Sequence, residues 1–109
     1  MIHVLALDLK DDPAMIAEYE HYHATMRPEI EETIRAAGIT GMTLYRAGNR
    51  LVMLMESDDT FSFERKAQMD AENPAVQAWE NMMWTYQQAL PFAQSNEKWV
   101  LMKQIYDLP

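Results

Sequence analysis

Apolar and polar positions alternate along the chain in blocks that change period, and the blocks predict its elements. IHVLALDL, Ile2 to Leu9, is a short apolar run bounded by the polar KDDP, so it predicts a strand. Asp12 followed by Pro13 marks a helix start: the carboxylate can accept the orphan amide bonds, and proline at the first helical position gives up no bond it needed. The helical pattern continues to about Ala37, where Gly38 can take the left-handed conformation that ends it. Pro28 lacks an amide donor and disfavours helical geometry at Arg27. The pattern therefore predicts a break after His23 and a second helical segment from Pro28. Two strands follow, Ile39 to Arg46 and Arg50 to Ser57, joined by a turn at Gly48 and Asn49. A short helix over Thr60 to Gln68, a longer one over Asn73 to Leu90 closed by Pro91, and a last strand within KWVLMKQIYDL complete the chain.

The order β-α-β-β-α-β predicts an α+β, ferredoxin-like sandwich, with the helices on one face of a four-stranded antiparallel sheet. That arrangement leaves one face uncovered. Yet LVMLM, Leu51 to Met55, is apolar at every position. The last strand offers Trp99, Leu101 and Ile105 on one side and Val100, Met102 and Tyr106 on the other. Strands apolar on both faces call for cover on both. The simplest cover is a second copy of the same sheet, which predicts a homodimer built as a dimeric α+β barrel.

Composition narrows the reading further. The 109 residues suit one domain, 1–109, and 49% of them are hydrophobic against 24% charged, as in an ordinary folded chain. The chain has no cysteine, which excludes disulfides and thiolate metal sites. The apolar run at the N-terminus is far shorter than a membrane span and has no basic leader, so a cytoplasmic location is expected. Seventeen acidic residues against nine basic ones give a net charge of -8, which repels phosphate backbones and anionic lipid alike. Neither nucleic acid nor a membrane is an expected partner.

Within YEHYHATMRPEI, Tyr19 and His23 stand four apart and so share one face of the first helix. They can be a core pair satisfied by internal hydrogen bonds, or the polar lining of a ligand pocket; the spacing leaves both open. Histidine is the side chain able to give and take protons near neutrality. His21 and His23 fall on different sides of a helix, and no HExxH or second cluster with ligand spacing accompanies them, so no metal is expected. Val76, Trp79, Met83, Tyr86 and Leu90 form a stripe at helical spacing that reads most simply as core. Trp79 could also serve as an apolar platform for a small molecule such as a sugar, with Glu80 beside it to bind hydroxyl groups.

Taken together, Y-x3-H on the first helix, PEIE after it, Gly38 before the hairpin, a tryptophan within the long helix and the closing YDLP resemble the L-rhamnose mutarotase family over essentially the full length. The resemblance implies a ferredoxin-like dimer that needs no metal or organic cofactor and interconverts the α and β anomers of a 6-deoxy sugar. It implies that His23 is the proton donor and that Tyr19 contacts the sugar. The match departs from the family at two positions: Met42 stands where the family has a sugar-contacting tyrosine, and Glu80 where it has the second of two adjacent tryptophans. Exchanging a phenol and an indole for a thioether and a carboxylate changes which ring hydroxyls are satisfied. That shifts the expected substrate from L-rhamnose to L-fucose. Mutarotation needs only general acid-base catalysis, with Trp79 packed on the apolar face of the sugar. Two rival functions share the fold expectation: a small monooxygenase acting on quinones or haem, its cavity lined by some of the ten methionines, and a non-catalytic interaction module.

Overall fold

The computed structural model describes residues 1–109. Its elements in chain order are β1 (Ile2–Leu9), α1 (Pro13–Ala24), α2 (Pro28–Ala36), β2 (Ile39–Ala47), β3 (Arg50–Ser57), α3 (Phe63–Ala71), α4 (Pro74–Trp84), β4 (Gln87–Gln88) and β5 (Val100–Leu101). The strands form one antiparallel sheet in the order β2-β3-β1-β4, with β5 also on β1, which is the ferredoxin-like arrangement.

The proline and glycine signals act where the sequence puts them. The Asp12 carboxylate accepts from the amides of Ala14 and Met15 at the start of α1, and α2 begins at Pro28. Gly38 ends the α2 region at φ +96°. The hairpin turns at Gly48, φ +59°. Asn73 caps α4 through Ala75 and Val76.

Three elements depart from expectation by more than one residue. The third helix begins at Phe63 instead of Thr60, because the Asp58 carboxylate first binds the Thr60 amide and hydroxyl, and Ser62 then caps by accepting from Arg65. The long helix ends at Trp84 instead of Leu90. Its last turn tightens through Thr85 and Tyr86 amides bonding three residues back, and Gln87–Gln88 then pairs with Asp8 and Leu9 on the free edge of β1. The last strand shrinks to Val100–Leu101 on Leu5 and Ala6, with one further bond from the Met102 amide to Val4. The fourth strand position is thus filled in two pieces, and residues 89–99 loop out between them.

Leu5, Leu7 and Leu9 of β1 face the helices; Leu5 and Leu7 pair with Met53 and Leu51 of β3, and Leu9 with Gln87 of β4. The core cluster beneath the helices gathers Leu9, Tyr19, Ile30, Leu51, Trp79 and Met83 among others. Asp8, on the opposite face and buried, is held by a two-pronged bond from Arg50, its cross-strand partner, at 2.8 and 3.2 Å. A one-residue irregularity in β2 between Ile39 and Gly41 breaks the alternation. It brings Ile39 and Met42, an odd number of positions apart, to the same side of the sheet.

Candidate active site

Tyr19 and His23 lie one turn apart on the sheet-facing side of α1, with ring centroids 4.4 Å apart. His23 Nδ1 donates to the Tyr19 carbonyl oxygen at 2.9 Å. A carbonyl only accepts, so Nδ1 holds the proton and Nε2 is the free nitrogen of the neutral ring. Burial pushes the imidazole below its usual 6.5, and the bond to the Tyr19 carbonyl opposes this only in part. At neutral pH the residue therefore presents a basic nitrogen.

The Tyr19 phenol is buried and accepts a hydrogen bond from Gln87 Nε2 at 3.2 Å. Its pKa is raised above 10, chiefly by burial, with the negative charge of Glu80 adding and the Gln87 bond opposing. The phenol stays protonated and free to donate. Trp79 reaches the same space from α4. Its ring meets the His23 ring edge-on at 5.7 Å and carries the Arg27 guanidinium 5.4 Å above it. The neighbouring Glu80 is half-buried and paired with Lys98 at 3.6 Å. Met42 enters from β2, placed on the helix side by the irregularity described above.

These five residues, Tyr19, His23, Met42, Trp79 and Glu80, line one cavity of about 340 Å³, at the small end of the range for ligand pockets. The two readings of Tyr19 and Trp79, core and pocket wall, are both true: each packs in the core cluster and shows one face to the cavity. A second depression of about 350 Å³ adjoins it at His23, Met26 and Met42 and extends toward Glu31 and Arg35. His21 is exposed and lines neither space, and no three His, Asp or Glu side chains converge to hold a metal.

Four polar residues of the cavity were not singled out from the sequence: Thr33, Lys66, Asp70 and Gln87. Lys66 and Asp70 form an ion pair one turn apart on α3, and this spacing was visible as a charge pair though not as a pocket wall. Gln87 carries no such signal, because it falls within the residues whose pattern continues the long helix.

The sequence model of the L-rhamnose mutarotase family matches residues 3–108. The chain belongs to that family. It is 44% identical over 95 residues to an L-fucose mutarotase of Xanthomonas campestris pv. campestris, covering 85% of this chain and 76% of that protein. Its fold is similar to the crystal structure of an L-rhamnose mutarotase from Formosa agariphila, with a TM-score of 0.72 at 15% identity, covering 100% of this chain and 99% of that one. It is also similar to a dimeric ferredoxin-like protein from an uncultured marine organism, with a TM-score of 0.54 at 11% identity, covering 98% and 91%. Membership makes the chain an isomerase, a mutarotase. Met42 and Glu80, the two positions that the resemblance marks as departures, lie on the cavity wall.

Proposed function

We propose that residues 1–109 form a single mutarotase domain that interconverts the α and β anomers of L-fucose in preference to L-rhamnose, with His23 as the catalytic residue. The observation that supports the chemistry is the bond from His23 Nδ1 to the Tyr19 carbonyl, which fixes the tautomer and leaves Nε2 unprotonated and free to take a proton. Nε2 takes the proton of the anomeric hydroxyl as the bond between C1 and the ring oxygen breaks, and delivers it to the ring oxygen. The open aldehyde turns about C1–C2. On closure the ring-forming hydroxyl returns its proton to Nε2, which passes it to the carbonyl oxygen, now on the other face. Both oxygens are attached to C1, so one nitrogen can serve both, and no net proton, nucleophile, metal or cofactor is required. The proton His23 donates is thus one it has first accepted, in keeping with its lowered pKa.

Tyr19, Glu80 and Met42 contact the sugar in this reading, and Trp79 packs on its apolar face. The preference for L-fucose is supported by the 44% identical relative of that name and by the exchange of an aromatic wall for Met42 and Glu80. We also place the protein in the cytoplasm.

A homodimer, formed face to face through the open sheet, completes the proposal. Val4, Val52, Leu54 and Val100 are only half-buried on that face, and Tyr45 is 58% exposed. Beyond β5 the tail runs clear of its own sheet, with Ile105 90% exposed. A structural neighbour of the same fold is described as dimeric, in keeping with a dimer here.

The test is anomeric exchange measured by NMR on L-fucose and L-rhamnose at equilibrium with catalytic amounts of protein. Faster exchange for L-fucose supports the reading, stronger action on L-rhamnose reverses the preference, and no acceleration of either removes the function.

A further inference from the structure

Gln87 is 5% exposed, and its cross-strand partner Leu9 fixes its side chain on the helix face, beneath α1 and against the cavity. The amide makes one hydrogen bond, from Nε2 to the Tyr19 hydroxyl. Its Oε1 has no partner within the chain and is the one buried side-chain polar atom left so. Native structures rarely leave such an atom unpaired, because burial strips it of water without compensation. With the amide turned over, Nε2 would be the atom left, so one amide atom of this cavity-lining residue lacks a partner either way. A sugar hydroxyl can donate to the oxygen or accept from the nitrogen. The same Tyr19 side chain has its ring 4.4 Å from that of His23, whose free nitrogen serves the anomeric centre in the proposed reaction.

We infer that Gln87 is a specificity-determining residue, its free amide atom binding a ring hydroxyl away from the anomeric carbon. The inference rests on the mutarotase reading and extends it: Tyr19 and Gln87 form a paired polar end of the cavity, with His23 at the reacting end. L-Fucose and L-rhamnose differ in the orientation of the hydroxyls on C2 and C4. An amide fixed between Tyr19 and the β1 edge satisfies a hydroxyl of one orientation and leaves the other unpaired.

The experiment compares wild type, Gln87→Met and Gln87→Asn by NMR exchange on L-fucose, L-rhamnose and the 2-deoxy, 3-deoxy and 4-deoxy analogues of L-fucose. Methionine keeps the volume and removes both polar atoms; asparagine withdraws the amide by one carbon and carries the test if the methionine variant does not fold. Wild type is expected to lose about 10- to 100-fold in kcat/KM on the 2-deoxy or the 4-deoxy analogue, and Gln87→Met to lose a similar factor on L-fucose while treating that analogue within about threefold of wild type; a loss confined to the 3-deoxy analogue overturns the specificity role. A residue that merely packs would lower all the sugars together. If wild type accelerates L-fucose and the variants change every sugar equally or none, the assignment of Gln87 is overturned and the mutarotase reading stands. If wild type accelerates neither L-fucose nor L-rhamnose, both fall together.

Discussion

One proton decides the behaviour of the site, and its location on His23 is set by two neighbours. The Tyr19 carbonyl holds Nδ1–H, and burial resists a second proton on Nε2. A base is active in its unprotonated form, so the exchange rate at subsaturating sugar should rise with pH through a single titration below 6.5. It should then stay level until well into the alkaline range, since the Tyr19 phenol titrates above 10. A rate that falls over the acid range would instead make the imidazolium the resting acid. Replacing His23 by Asn removes the titrating group while keeping a polar side chain of moderate size. Loss of general acid-base catalysis of this kind costs about 100- to 10,000-fold in rate. The variant should retain its melting temperature within a few degrees, because His23 is only partly buried and makes its hydrogen bond within its own helix. A rate unchanged in His23→Asn would remove the residue from the chemistry.

Of the three glycines, the one where α2 passes into β2 is the most closely surrounded. Gly38 sits there at φ +96°, and a Cβ on it would lie 2.6 Å from both Asp58 Oδ1 and Thr60 Oγ1, the two atoms that organise the turn into α3. Gly38→Ala therefore meets backbone strain and a steric clash together, and should lower stability in urea unfolding by about 1–3 kcal/mol. Gly48, at φ +59° with nothing within 4 Å, isolates the backbone cost alone. Gly48→Ala should be clearly milder, by roughly 1 kcal/mol; equal losses at both sites would show that the clash at Gly38 is relieved. Such local signals made much of the fold legible: Asp12, Pro13, Pro28 and Gly38 each act through their own backbone, so the sequence near them suffices. The end of α4 was not legible in this way, because no residue between Thr85 and Ala89 forbids a helix. What stops it is the unpaired edge of β1 at Asp8 and Leu9, far away in sequence. The same non-local event turns Gln87 into the cavity, which is why Tyr19, His23, Trp79, Glu80 and Met42 could be named from the sequence and Gln87 could not.

At the scale of the whole molecule the sheet separates two tasks. Residues that line the cavity, Leu5, Met42, Leu44, Met53 and Met55, alternate along β1, β2 and β3 with those of the opposite face, Val4, Thr43, Tyr45, Val52 and Leu54. In the proposed dimer the second set meets its copy and gains the cover that the helices give the first. Leu54 sits between Val4 and Thr43 near the middle of that face, half-buried in the protomer. Leu54→Glu would place two carboxylates in an apolar contact with no cation to pair them, at a cost the interface cannot absorb. Sedimentation should find the wild type dimeric and Leu54→Glu monomeric; a monomeric wild type would refute the dimer. Because the cavity walls on the helix side come from one protomer, the monomeric variant should keep measurable exchange activity. The loss should fall mainly on thermal stability. If the folded monomer has no activity at all, the partner must supply something to the cavity, and the exposed tail from Lys103 to Pro109 is the segment with the reach to do so.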